Sequence, residues 1–121
     1  MLIVKPMEQP DEVRPTADRG QLELVSLGQT MLGRATFQPG WRWSEHVKPI
    51  AGTDLCQATH VGYVVEGRQA VRMSDGTEVE LSAGDAFLIG PGHDAWVVGD
   101  EPCVTIDFVG GADFATNGGE R

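Results

Sequence analysis

Turn-forming residues recur so often in this chain that no long helix fits between them. From Gln21 onward the sequence breaks into short pieces: "QLELVSLG" (21–28), "TMLGRATF" (30–37), "WRWSEHV" (41–47), "THVGYVVEG" (59–67), "RQAVRMS" (68–74), "TEVELS" (77–82), "GDAFLIG" (84–90), "DAWVVGD" (94–100) and "CVTIDFVG" (103–110). The 16 glycines and 7 prolines fall largely between these pieces. Turns roughly every 8–12 residues are what a β-sandwich or barrel requires. Asp75-Gly76 is the strongest hairpin signal, because Asp-Gly readily takes up the positive φ angles of a tight turn. The expectation is an all-β barrel, whose closure removes exposed strand edges.

At 121 residues the chain fits one domain. Residues 1–20, punctuated by Pro6, Pro10 and Pro15, read as an N-terminal arm. Its "LIV" at 2–4 offers an edge strand, or one exchanged with a neighbouring subunit. Residues 21–110 read as the barrel and 111–121 as a flexible tail. A net charge of −9 disfavours nucleic acid and anionic membranes as partners. The start has no apolar run of signal-peptide length, so a cytoplasmic protein with Cys56 and Cys103 reduced is expected. Cys103, inside an apolar run, reads as a core residue.

Residues that carry chemistry concentrate in the middle of the chain. If "WRWSEHVK" is extended, Arg42, Ser44, His46 and Lys48 share one face and Trp41, Trp43 and Val47 the other. In "THVGYVVEG" His60, Gly62 and Val64 fall together, which puts a histidine on an apolar strand. The chain's three histidines, His46, His60 and His93, all lie in this central region. Neutral imidazoles suit transition metals, and three of them leave a coordination position free. Cys56, four residues before His60, is a candidate fourth ligand. Without a metal, the histidines would form a hydrogen-bonded polar cluster. Trp41 and Trp43 read as core or interface anchors, and Trp96 as a residue at the pocket mouth.

The spacing resembles the two motifs of the cupin superfamily. Gly40 is followed after "WRWSE" by His46, and His60 is followed after "VGYVVE" by Gly67. The second motif resembles "GDAFLIGPGHDAW". On this alignment the family's second histidine falls on Lys48, its glutamate on His60 and its later histidine on Ala95, two residues beyond His93. The resemblance implies a cupin-type double-stranded β-helix, or jelly-roll, barrel. It makes "KPIAGTDLCQAT" a candidate lid, because this stretch lengthens the first motif.

The resemblance implies a His-lined pocket that binds a small polar or anionic molecule. The expected metal ligands are His46, His60 and His93, holding one divalent ion such as Zn, Fe, Ni or Mn. Arg42, Ser44, Lys48 and Trp96 are expected at the ligand. An alternative is a metal-dependent enzyme of dioxygenase, isomerase, cyclase or lyase type using the same pocket, with no catalytic residue singled out. A second alternative is a metal-free dimeric scaffold. Small cupins usually pair, so a homodimer is the default expectation.

Overall fold

In a computed structural model, residues 1–15 and 19–109 are described, and the tail predicted at 111–121 lies outside them. The chain forms β1 (Glu12–Pro15), β2 (Gly20–Leu27), β3 (Thr30–Phe37), α1 (Trp43–His46), α2 (Lys48–Ala51), β4 (His60–Glu66), β5 (Arg68–Met73), β6 (Glu78–Ser82), β7 (Ala86–Ile89), β8 (His93–Val97) and β9 (Cys103–Val109). The strands make two antiparallel sheets, one ordered β1-β2-β3-β9-β4-β7 and the other β6-β5-β8. After the β5–β6 hairpin the chain passes from one sheet to the other at each connection, which gives the double-stranded helical winding of a jelly roll. In the arm, residues 2–4 form no strand, and the edge strand is β1, paired with β2 of the same chain.

Strand alternation assigns the core. Leu22 and Leu24 of β2, Ala35 and Phe37 of β3, Val64 of β4, Val71 of β5, Ala95 and Val97 of β8, and Cys103 of β9 are buried in one cluster. Trp41 and Trp43 join it and are among the largest fully buried side chains. The Asp75-Gly76 hairpin forms with Gly76 at φ +94° and its N–H donating to Met73 O.

Two glycines allow close approaches. A Cβ on Gly62 would lie 1.8 Å from Ile106 O, where the pairing of β4 with β9 is irregular. Only glycine lets the two backbones meet there, and the residues flanking that contact are His60 and Asp107. Gly67 sits at φ +80° between β4 and β5, where a Cβ would lie 2.1 Å from Pro102 O, so it turns the chain from one sheet into the other.

One segment departs from its sequence reading. Residues 41–47, expected to be a strand, form a helical turn at α1, followed directly by α2. Pro49 near the start of α2 is compatible with a first helical turn, and Gly52 at φ +80° ends it. Asp94 holds the segment in place: its Oδ1 accepts from Ser44 N at 3.0 Å, and its Oδ2 accepts from Arg42 Nη1 at 3.3 Å. Helical periodicity buries Trp43 and Val47 and turns Ser44, Glu45 and Lys48 elsewhere, so the polar stripe read from a strand period does not exist.

A candidate metal and ligand site

The candidate lid packs as a wall instead. Ala51, Cys56 and Ala58 are buried, and Cys56 bridges to β8, with Cys56 N donating to His93 O at 2.8 Å. That bridge sets Cys56 against His93. Four residues later the chain enters β4 with His60 facing the same interior, and the two imidazoles meet edge to face with centroids 5.3 Å apart. Cys56 Sγ and one ring nitrogen each from His60 and His93 lie within 4.8 Å of one another.

Hydrogen bonds orient both rings. His60 Nδ1 lies 2.6 Å from Asp107 Oδ2, and His93 Nδ1 lies 2.8 Å from Gly90 O. In the neutral ring each acceptor selects the tautomer with its proton on Nδ1, which leaves Nε2 with a lone pair. His60 Nε2 is 3.8 Å from Cys56 Sγ. A carboxylate or carbonyl behind each imidazole is the usual support of metal-binding histidines.

The donor set fits a small divalent ion. Tetrahedral zinc, with bonds of about 2.0–2.3 Å, needs donors about 3.3–3.8 Å apart, so modest contraction of the trio would suffice. Burial on its own would push the Cys56 thiol up, but hydrogen bonds from His60 and His93 outweigh it and bring the pKa down to about 6. Burial likewise opposes a charged His60, yet Asp107 and Cys56 raise its pKa to about 9. Without a metal the pair is therefore a thiolate and an imidazolium near neutral pH. Cys103, buried without such partners, is pushed up to about 11.

Beside the trio lies a cavity of about 40 Å³, walled by Leu22, Phe37, Trp41, Phe87 and Ile89, with His60, His93 and Asp107 as its ionisable lining. Gln69 and Thr105 add uncharged polar groups. Cys56 is not among the residues that line the cavity.

Residues 56–109 match the family model described as the cupin domain, and the winding of the sheets agrees with it. Residues 56–109 are a cupin domain. No curated protein matches the chain. Among solved structures, this cupin resembles an RmlC-like cupin from Shewanella frigidimarina NCIMB 400, with TM-score 0.58 and 21% identity over 87% of this chain and 88% of that one. It resembles KdgF from Halomonas sp., with TM-score 0.55 and 24% identity over 79% and 82%. It also resembles AerE from Microcystis aeruginosa, with TM-score 0.61 and 15% identity over 81% of this chain but only 44% of AerE, so it spans less than half of that protein.

The cupin's interior departs from its sequence reading at several positions. His46 does not meet the other histidines: it lies on α1, and its Nδ1 hydrogen-bonds the Arg42 backbone. Lys48 pairs with exposed Asp54 at 3.3 Å, at the surface. Arg42 stacks its guanidinium 4.2 Å from the Trp96 ring centroid and pairs with Asp94, so Arg42 and Trp96 occupy each other outside the cavity. Ser44 contributes a backbone N–H to Asp94 and does not line the cavity either. The physical reason is shared: a helical turn replaced the strand that would have pointed these side chains inward. The family match covers residues 56–109 and leaves out Gly40, His46 and Lys48, on which the sequence reading places the first motif.

Cys56 thus lies with His60 and His93 in a group of three that could hold a metal ion, in the place expected for His46. Asp107 went unread, although the signal was there. In "CVTIDFVG" the period-2 rule puts Cys103, Thr105 and Asp107 on one face, and an acid on the buried face of a strand calls for a partner.

Proposed function

We propose that this cupin binds a small molecule through one transition-metal ion held by Cys56 Sγ, His60 Nε2 and His93 Nε2. The observation that carries this reading is the commitment of both Nδ1 atoms to acceptors, Asp107 and Gly90 O, with a thiol of depressed pKa beside the free edges. Of the ions a cupin could take, zinc suits a thiolate and two imidazoles best, and manganese suits them least. Three protein donors leave a position for water or a ligand oxygen, and the bound ion would supply Lewis-acid polarisation there.

The chain's own groups do the rest. Asp107 fixes the plane and tautomer of His60 and balances positive charge at the site. The apolar walls exclude bulk water and strengthen polar contacts to whatever enters. Whether the bound molecule is turned over or only held separates an enzyme from a binding protein of the same architecture.

We also assign the protein to a reducing compartment, since Cys56 and Cys103 are free. No helix among the described residues is long and apolar enough to cross a membrane. A homodimer through the outer face of the larger sheet, where Tyr63, Val65 and Phe108 are exposed, is the assembly we favour.

The metal reading is tested by titrating chelator-treated, untagged protein with zinc. One ion per chain is expected, with Cys56→Ser and His93→Ala each binding at least tenfold more weakly. Wild-type protein that takes up no zinc, or variants that match it, would overturn the reading.

A further inference from the structure

One buried polar atom, on a residue that lines the cavity, has no use in anything described so far. Trp41 is 1% exposed, lines the cavity, and its Nε1–H has no hydrogen-bond partner among the described residues. It is the one buried side-chain nitrogen or oxygen among them in that state. An indole N–H is a donor only, so whatever satisfies it must be an acceptor. Leaving such a group unsatisfied costs on the order of 1–3 kcal/mol. The ring cannot easily turn away to water. Phe37 stacks on it at 4.0 Å, Trp41 N donates to Gln38 O at 3.0 Å, and Trp41 O accepts from Val97 N at 3.0 Å.

The rest of the wall says what carries the acceptor. No Lys or Arg lines the cavity among the described residues, and His60 is already committed to Asp107 at 2.6 Å, so a phosphate or other multiply charged anion meets no uncommitted cation of the protein. The lining is mainly aliphatic and aromatic, so the body of the ligand is apolar. At about 40 Å³ the cavity has room for about three waters, so the enclosed part of the ligand has only a few non-hydrogen atoms.

We infer that the cavity receives a short-chain monocarboxylate, whose apolar end packs on Phe37 and Phe87 and one of whose oxygens accepts a hydrogen bond from Trp41 Nε1. This inference rests on the cavity being the binding site, as proposed above, but not on the metal. It replaces the anion clamp of Arg42 and Lys48 expected from the sequence with an indole N–H in a mainly apolar chamber that also holds the His60–Asp107 pair.

The test uses full-length ¹⁵N-labelled protein, in zinc-loaded and chelator-treated forms, with propionate as the probe and inorganic phosphate as the contrast. The Trp41 indole N–H resonance is assigned by its loss in Trp41→Phe, which preserves the stacking on Phe37. Saturable movement of that resonance to lower field with propionate, absent with phosphate, is expected. Trp41→Phe should bind propionate about tenfold or more weakly, as befits a lost hydrogen bond to a charged acceptor, while its zinc affinity stays within twofold of wild type. If the Trp41 resonance stays still at saturating propionate, or phosphate moves it equally, the inference is wrong. The titration on wild-type protein decides the matter even where the variant folds poorly. Failure of zinc binding with a propionate response intact would overturn the metal reading alone.

Discussion

Asp107 hydrogen-bonds the His60 ring from the cavity lining, so replacing it tests the effect of orienting and charging that ring. Asp107→Asn keeps a hydrogen-bonding group of the same size, 2.6 Å from His60 Nδ1, and removes the charge. Losing the carboxylate behind a ligating imidazole costs about 10–100-fold in metal affinity, or about 1.4–2.7 kcal/mol. A second effect runs the other way. Asp107 is a principal reason that His60 titrates at about 9, and a protonated His60 cannot ligate. At pH 7.5 only about one wild-type His60 in thirty is neutral, a penalty of about thirtyfold that shrinks to about twofold at pH 9. Without Asp107 the His60 pKa falls back toward 6.5 and most of that competition disappears. The variant's deficit should therefore be small at pH 7.5 and open to about 5–50-fold at pH 9. Competition titration of zinc against a chromogenic chelator at both pH values measures it. Equal affinities of variant and wild type at pH 9 would refute the role given to Asp107.

The remaining predictions concern the same trio and its surroundings. Wild-type zinc affinity should rise about tenfold per pH unit between roughly pH 6.5 and 9, as zinc displaces one proton from His60, and steepen below pH 6, where Cys56 is protonated too; a flat profile measured by the same titration would contradict the His60 assignment. In metal-stripped protein, ultraviolet thiolate absorbance should grow in two separate steps, Cys56 near pH 6 and Cys103 near pH 11; a single step near 9 would show that the histidines do not hold Cys56 ionised. His46→Ala should leave zinc affinity within twofold of wild type, because His46 lies outside the group formed by Cys56, His60 and His93 and its Nδ1 hydrogen-bonds the Arg42 backbone, and a tenfold loss would restore it to the site.

How far the sequence could be read depended on how local each signal was. The strands from β2 onward were legible, since each is bounded by Gly, Pro or Asp-Gly turns, and the alternation that placed His60, Gly62 and Val64 together holds in β4; β1, at 12–15 rather than 2–4, was not. Residues 41–47 were not legible. Their alternating pattern suits a strand, and only the tertiary contacts of Asp94 with Ser44 N and Arg42 select the helical turn. That one misreading carried His46, Arg42, Ser44 and Lys48 to the wrong side of the wall. The partnership of Cys56 with His93 was invisible for a different reason. It depends on a bridge between residues 37 positions apart, and no local pattern encodes it. Asp107 was within reach of period-2 reasoning, but its partner on β4 follows only from the sheet order.

The most direct measurement is the spectrum of the cobalt(II)-substituted protein. Cobalt in a site made by Cys56, His60 and His93 should give one ion per chain, intense visible bands of a four-coordinate centre, and a near-ultraviolet thiolate-to-metal charge-transfer band that disappears in Cys56→Ser. A weak, six-coordinate spectrum with no thiolate band, or one that Cys56→Ser leaves unchanged, would contradict the assignment of Cys56 as a ligand.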